Sequence, residues 1–197
     1  MLEMVRGCRL NYSQLLNEGY INLADRILAN VNAGKILPLF LDFIDIVKED
    51  NLFLCLEVPQ DHGLIESSED DILYEVYYLD NQKPARLREL LEKYGNILVH
   101  DGFTGFGIGS LDNHQELNKT RFNMVSLLNY GEQADRFIQM FHDSGIEERE
   151  GMYLSGDIMN SDNVGTMIRY EENGLTVYDV IDELRKEGLY NPQEAKG

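Results

Sequence analysis

Apolar residues recur at steps of three and four between residues 12 and 32, at Leu16, Tyr20, Leu23, Ile27 and Val31. This spacing predicts an amphipathic helix over 12–32, with Gly34 as a stop. A second periodic run, Ile36, Phe40, Phe43 and Val47, has Leu37, Leu41 and Ile44 beside it. So wide an apolar stripe predicts a helix buried on more than one side. Pro38 falls in its first turn, where the missing N–H costs nothing. Together the two runs predict an N-terminal helical hairpin over 12–50.

The pattern then changes. "NLFLCLEV" (51–58) and the tyrosine-rich "ILYEVYYL" (72–79) read as strands, joined by the acidic loop "DHGLIESSEDD". "DNQKPARLRELLEKYG" reads as a helix. Pro84 suits its first turn, Leu87, Leu90 and Leu91 form its core stripe, and Gly95 is placed to cap its end. "LDNHQELNKT" carries only a weak helix or loop signal, and "FNMVSLL" (122–128) reads as a strand. "EQADRFIQMFHDSG" repeats the pattern of helix then glycine, with Phe137, Met140 and Phe141 on the core face. Residues 72–95 lie without gaps on 122–145, which suggests an internal repeat. Near the C-terminus, Asn173-Gly174 between β-rich runs signals a two-residue hairpin. Asp179 reads as the N-cap of a helix over 180–187 that ends at Gly188.

The stretch "ILVHDGFTGFGIGS" (97–110) raises the main chemical question. Its glycines could cradle a phosphate, but G-x-G-x-G is followed by Ser110 and has no lysine until Lys119. Neither a P-loop nor a dinucleotide fingerprint results. Asp101-Gly102 instead suits a type I′ turn joining "ILVH" to "FTGFGIG", with His100 opposite Phe103. Alternation then puts Ile97, Val99, Thr104, Phe106 and Ile108 on one face, and Leu98, His100, Phe103, Gly105, Gly107 and Gly109 on the other. A glycine face on a strand implies close packing, a sharp bend or a ligand.

The sum is an α+β protein: a mainly antiparallel sheet built from hairpins, with helices on one face. Residues 1–190 read as a single domain, with the sheet and its helices in 51–190 and a frayed tail over 191–197. At 43% apolar and 26% charged, the 197-residue chain has ordinary globular composition. Its charge is not ordinary: 17 basic residues against 35 acidic ones give −18. That field opposes nucleic acid and anionic lipid and favours a basic protein partner. Two distant cysteines form no metal or redox motif. No run is apolar enough to span a membrane, and no signal peptide is visible, so the expectation is a cytoplasmic protein.

No motif marks a catalytic residue, a cofactor or a metal centre. No HExxH, EF-hand loop or G-x-S-x-G elbow occurs. The acidic runs "ESSEDD", "EERE" and "YEEN" lie beside tyrosines. Carboxylates with exposed aromatics suit a basic protein surface. The function read from the sequence is therefore a non-catalytic interaction module, of the immunity-inhibitor or adaptor kind, that binds a basic protein. One alternative is a hydrolase using His100 and Asp101. Another is a small-molecule sensor whose slot is the glycine face 105–109, with His100, Asp101, Phe103, Gly105 and Gly107 as ligand contacts. The apolar run 36–47 also suggests a homodimer interface.

Overall fold

The computed structural model describes residues 1–60, 73–158 and 165–194. The "DHGLIESSEDD" loop therefore lies outside the described residues. A seven-stranded antiparallel sheet forms the centre, in the order β2-β3-β8-β7-β6-β4-β5. Its strands are β2 (Gly19–Asn22), β3 (Arg26–Asn30), β4 (Leu52–Pro59), β5 (Tyr74–Gln82), β6 (Gly105–Ser110), β7 (Glu116–Lys119) and β8 (Met124–Leu128). A separate two-residue ladder joins β1 (Cys8–Arg9) to β9 (Thr166–Met167). The helices are α1 (Ala33–Val47), α2 (Pro84–His100), α3 (Ala134–Asp143) and α4 (Val177–Arg185).

Directly paired residues share a face of an antiparallel sheet. One row runs Tyr20, Ala29, Val125, Lys119, Phe106, Leu56 and Tyr77. The next runs Ile27, Leu127, Leu117, Ile108, Leu54 and Leu79. All but Lys119 are hydrophobic, all are buried, and the helices cover this face. The Phe40 ring of α1 meets the Phe106 ring at a tilt, 4.4 Å between centroids, and Tyr20 meets Phe141 of α3 at 5.4 Å. The α+β architecture read from the sequence is thus the observed one. Each edge strand of the sheet carries a single further bridge, Tyr78 of β5 with Tyr190 and Tyr20 of β2 with Glu148. Within residues 191–194, Asn191 is buried and Glu194 accepts from Arg185 at 2.6 Å.

The N-terminal helical hairpin is not what forms. Residues 12–32 make a short 3-10 turn (Ser13–Leu15) and the β2–β3 hairpin, and only the second predicted helix, α1, exists. Leu16, Tyr20, Ile27 and Val31 are all buried, as the spacing implied, but as inward residues of strands and turns. Leu23 sits at the hairpin turn and is exposed. The apolar residues of 36–47 pack within the chain: Ile36, Leu39, Phe40, Phe43, Ile44 and Val47 are buried.

The predicted 97–104 hairpin is also replaced. Helix α2 runs on through "NILVH" to His100, and Asp101 is its C-cap. Leu87, Leu90, Leu91, Tyr94, Ile97 and Leu98 continue one helical stripe. Gly95 is not a stop. It lets α1 approach, since a Cβ there would lie 2.7 Å from Leu37 Cδ1. Gly102 serves a chain crossing rather than a type I′ turn, for its Cβ would lie 1.8 Å from the Gly7 carbonyl oxygen. "LDNHQELNKT" contains strand β7. At α4 the N-cap is Thr176, and Asp179 is its capping-box partner at N3. The Asn173-Gly174 turn is present, with both residues at positive φ.

Candidate functional site

The residues singled out around 100–107 are brought to one end of the sheet, but as scaffold. Asp101 is fully buried. Its Oδ1 accepts from the Phe103 N–H at 3.0 Å, the Thr104 hydroxyl at 2.9 Å and Arg169 Nη1 at 3.1 Å. Its Oδ2 accepts from the Tyr170 N–H at 3.1 Å. Four donors satisfy this fully buried carboxylate within the fold. The His100 ring has separate partners, the Arg6 N–H and the Tyr170 ring. Phe103 lies under the Arg169 guanidinium, 5.1 Å from its ring centroid. Arg169 also donates to the Tyr178 hydroxyl, which donates on to the Pro59 carbonyl.

Lys119 is the cation beneath this hub. It donates to the Thr104 carbonyl at 2.8 Å and the Asp101 carbonyl at 3.4 Å, near the end of α2. Burial pushes its amine down to about 8, against the opposing pull of Asp101. A buried amine satisfied by carbonyls pins the 101–104 segment to β7.

The glycine face of β6 is occupied by neighbouring side chains. Asn118 Oδ1 lies 1.9 Å from where a Gly107 Cβ would stand. The Phe53 ring covers Gly109 in the same way, and Glu57 flanks Gly105. A shallow recess of about 230 Å³ remains beside Cys55, Glu57, Asn118 and Ser126. Cys55 is held as a thiol by burial, which pushes it up to about 12.

A larger concave feature lies elsewhere. An open groove of about 570 Å³ runs between α1 and α3. Asp42, Asp45 and Ile46 line it from α1; Asp135, Arg136, Gln139, Met140 and Asp143 line it from α3. Spacings of three and four put each set on one helix face. The opposite stripes anchor the helices, with Phe43 stacked on Phe137 at 5.6 Å. Ile46 and Met140 give an apolar floor beneath four carboxylates. Asp45 pairs with Arg88, while Arg136 turns to Gln133 Oε1 at 2.9 Å. Partial burial raises the Asp42 carboxyl above its ordinary range. Asp45 and Asp143 add to the rise and Arg88 opposes it.

Two of these acids stand where helices disfavour them. Asp45 lies in the last turn of α1 and Asp143 ends α3, both at the negative end of a helix dipole. The sequence reading passed over all four aspartates. The i, i+4, i+8 series Asp135, Gln139, Asp143 was the signal available. Among the described residues, no three His, Cys, Asp or Glu side chains converge to hold a metal. Nor is any described helix long and apolar enough to cross a membrane. Comparison with protein-family models, curated proteins and solved structures finds no match to this chain.

Proposed function

We propose that this chain is a non-catalytic, cytoplasmic protein-interaction module whose α1–α3 groove receives a basic protein partner. The observation that carries the reading is the placement of four aspartates around one apolar-floored groove, two of them at helix C-termini, where they oppose the helix dipole. Residues kept against a local stability rule are expected at functional positions. The net charge of −18 supplies the long-range attraction that would steer such a partner. Cys8 and Cys55 are thiols that form no disulfide, which fits a reducing compartment.

The test is affinity capture with the native chain and with a variant carrying Asp42→Asn, Asp45→Asn, Asp135→Asn and Asp143→Asn together. The expected result is capture of basic proteins by the native chain, release as salt rises, and loss of capture by the variant. Equal capture by both chains, or capture indifferent to salt, would overturn the reading.

A further inference from the structure

The ring of His100 sits where three segments meet. Its Nδ1 accepts the Arg6 N–H at 3.2 Å, and its own carbonyl accepts the Gly7 N–H at 2.8 Å. Gly7 in turn accepts from the Ile168 N–H at 2.8 Å, and Gly102 donates to the Ile168 carbonyl at 3.1 Å. The ring lies 5.4 Å from the Tyr170 ring, and Arg6 Nη1 donates to the Tyr170 hydroxyl at 2.7 Å. This junction leads directly into the β1–β9 ladder, where Cys8 faces Met167 and Arg9 faces Thr166. A neutral imidazole can accept through only one nitrogen, and here that nitrogen is Nδ1. A proton placed on Nδ1 turns this acceptor into a donor aimed at another donor.

From this geometry we infer that His100 is a proton-operated clasp: the neutral ring holds Arg6–Arg9 on the end of α2, and protonation of Nδ1 releases that segment and uncovers β9. The groups facing the ring act in both directions. Arg6 on the N-terminal segment and Lys119 on β7 oppose a second cation, whereas Glu172, Glu3 and the α2 dipole favour one. Glu172 is engaged by Asn96 of α2, and the neighbouring Asp101 carboxylate is taken up by Arg169. Burial of the ring is the largest influence, and the net direction is downward from the ordinary histidine value. The released ring, back in water, titrates near the ordinary value of about 6.5. The open form therefore binds the extra proton more readily, so closure weakens as pH falls below about 6.5.

The test is amide hydrogen exchange at Arg6 and Gly7 between pH 7 and pH 5, expressed as protection factors. In the native chain protection should fall by up to about tenfold per pH unit, the limit for one linked proton. In His100→Asn, whose Oδ1 can accept the same N–H and does not titrate, protection should stay level. Native protection that stays level, or an equal fall in the variant, would overturn the clasp. So would an equal loss at Leu56 in the central sheet, which would mean global unfolding. An independent check uses the native chain alone: by NMR, the His100 ring and the Arg6 amide should titrate with one shared midpoint below about 6.5. Separate midpoints would sink the idea.

Discussion

The Arg169 guanidinium meets the wholly buried Asp101 carboxylate at 3.1 Å, and three further donors complete the shell of that carboxylate. Two segments far apart in sequence, 101–104 and 169–170, are fixed to each other by this one side chain. Removing one partner of a buried pair strands the other, which costs about 3–5 kcal/mol. Asp101→Ala should therefore lower stability by about that amount, read from urea midpoints at constant slope. Because Asp101 is remote from the α1–α3 groove, capture of a basic partner by the folded fraction should be unchanged. A loss of binding out of proportion to the loss of folded protein would return Asp101 to the functional site.

Lys119 predicts a pH dependence. Its amine is lowered to about 8 in the fold, whereas an unfolded lysine titrates near 10.4. Between those values the unfolded chain holds a proton that the folded chain has released, so folding gains stability as pH rises. Tyr20, Tyr77, Tyr78 and Tyr94 are all raised, chiefly by burial, and act oppositely above about pH 10. The stability of Lys119→Met subtracted from that of the native chain isolates the lysine. That difference should climb from about pH 8 to about pH 10. A flat difference in urea titrations would mean that the amine is not lowered.

Two glycines of one motif should respond very differently to alanine. A Cβ at Gly102 would strike the Gly7 backbone, its carbonyl oxygen at 1.8 Å and its carbonyl carbon at 2.6 Å. Backbone cannot swing aside, so Gly102→Ala should cost at least about 3 kcal/mol. A Cβ at Gly107 chiefly meets Asn118 Oδ1, the far end of a movable side chain. Gly107→Ala should stay within about 1 kcal/mol of the native stability, since alanine also relieves the entropic cost of glycine in a strand. Thermal melts of the two variants decide it, and equal destabilisation would contradict the close crossing at Gly7.

The misreading of 97–104 shows what pattern alone could not supply. Ile-Leu-Val-His is a short apolar run, and such a run does not distinguish helix from strand by periodicity. Asp-Gly then supplied a plausible turn, and Gly95 a plausible helix stop. What decided otherwise was tertiary: Leu37 of α1 needs the space at Gly95, and Gly7 needs the space at Gly102. Strands β4, β5 and β8 were legible because their runs are bounded by polar breakers and rich in β-formers. In the β2–β3 hairpin, the inward residues of two strands happened to fall at helical intervals. The groove was not legible, because it exists only where α1 and α3, some 90 residues apart in sequence, lie side by side. Each helix alone shows ordinary acids on an exposed face.

The groove predicts a conflict between stability and binding. Asp143 ends α3, where a carboxylate opposes the dipole at a cost of about 0.3–1 kcal/mol. Asp143→Asn removes the charge and can still accept from Gln139 Nε2, now at 2.7 Å. The variant should therefore be more stable than the native chain by about that amount. Asp42→Asn should be stabilising too, since its carboxyl is raised by burial and by Asp45 and Asp143. An acid whose pKa is raised by folding loses stability as pH climbs through that range, so the gain should appear at neutral pH and vanish in acid. Both variants should bind the basic partner more weakly, and the loss should shrink as salt rises. Charge in the groove is then kept for binding at the expense of folding. If both variants were more stable and bound the partner undiminished, the acids would have no part in recognition.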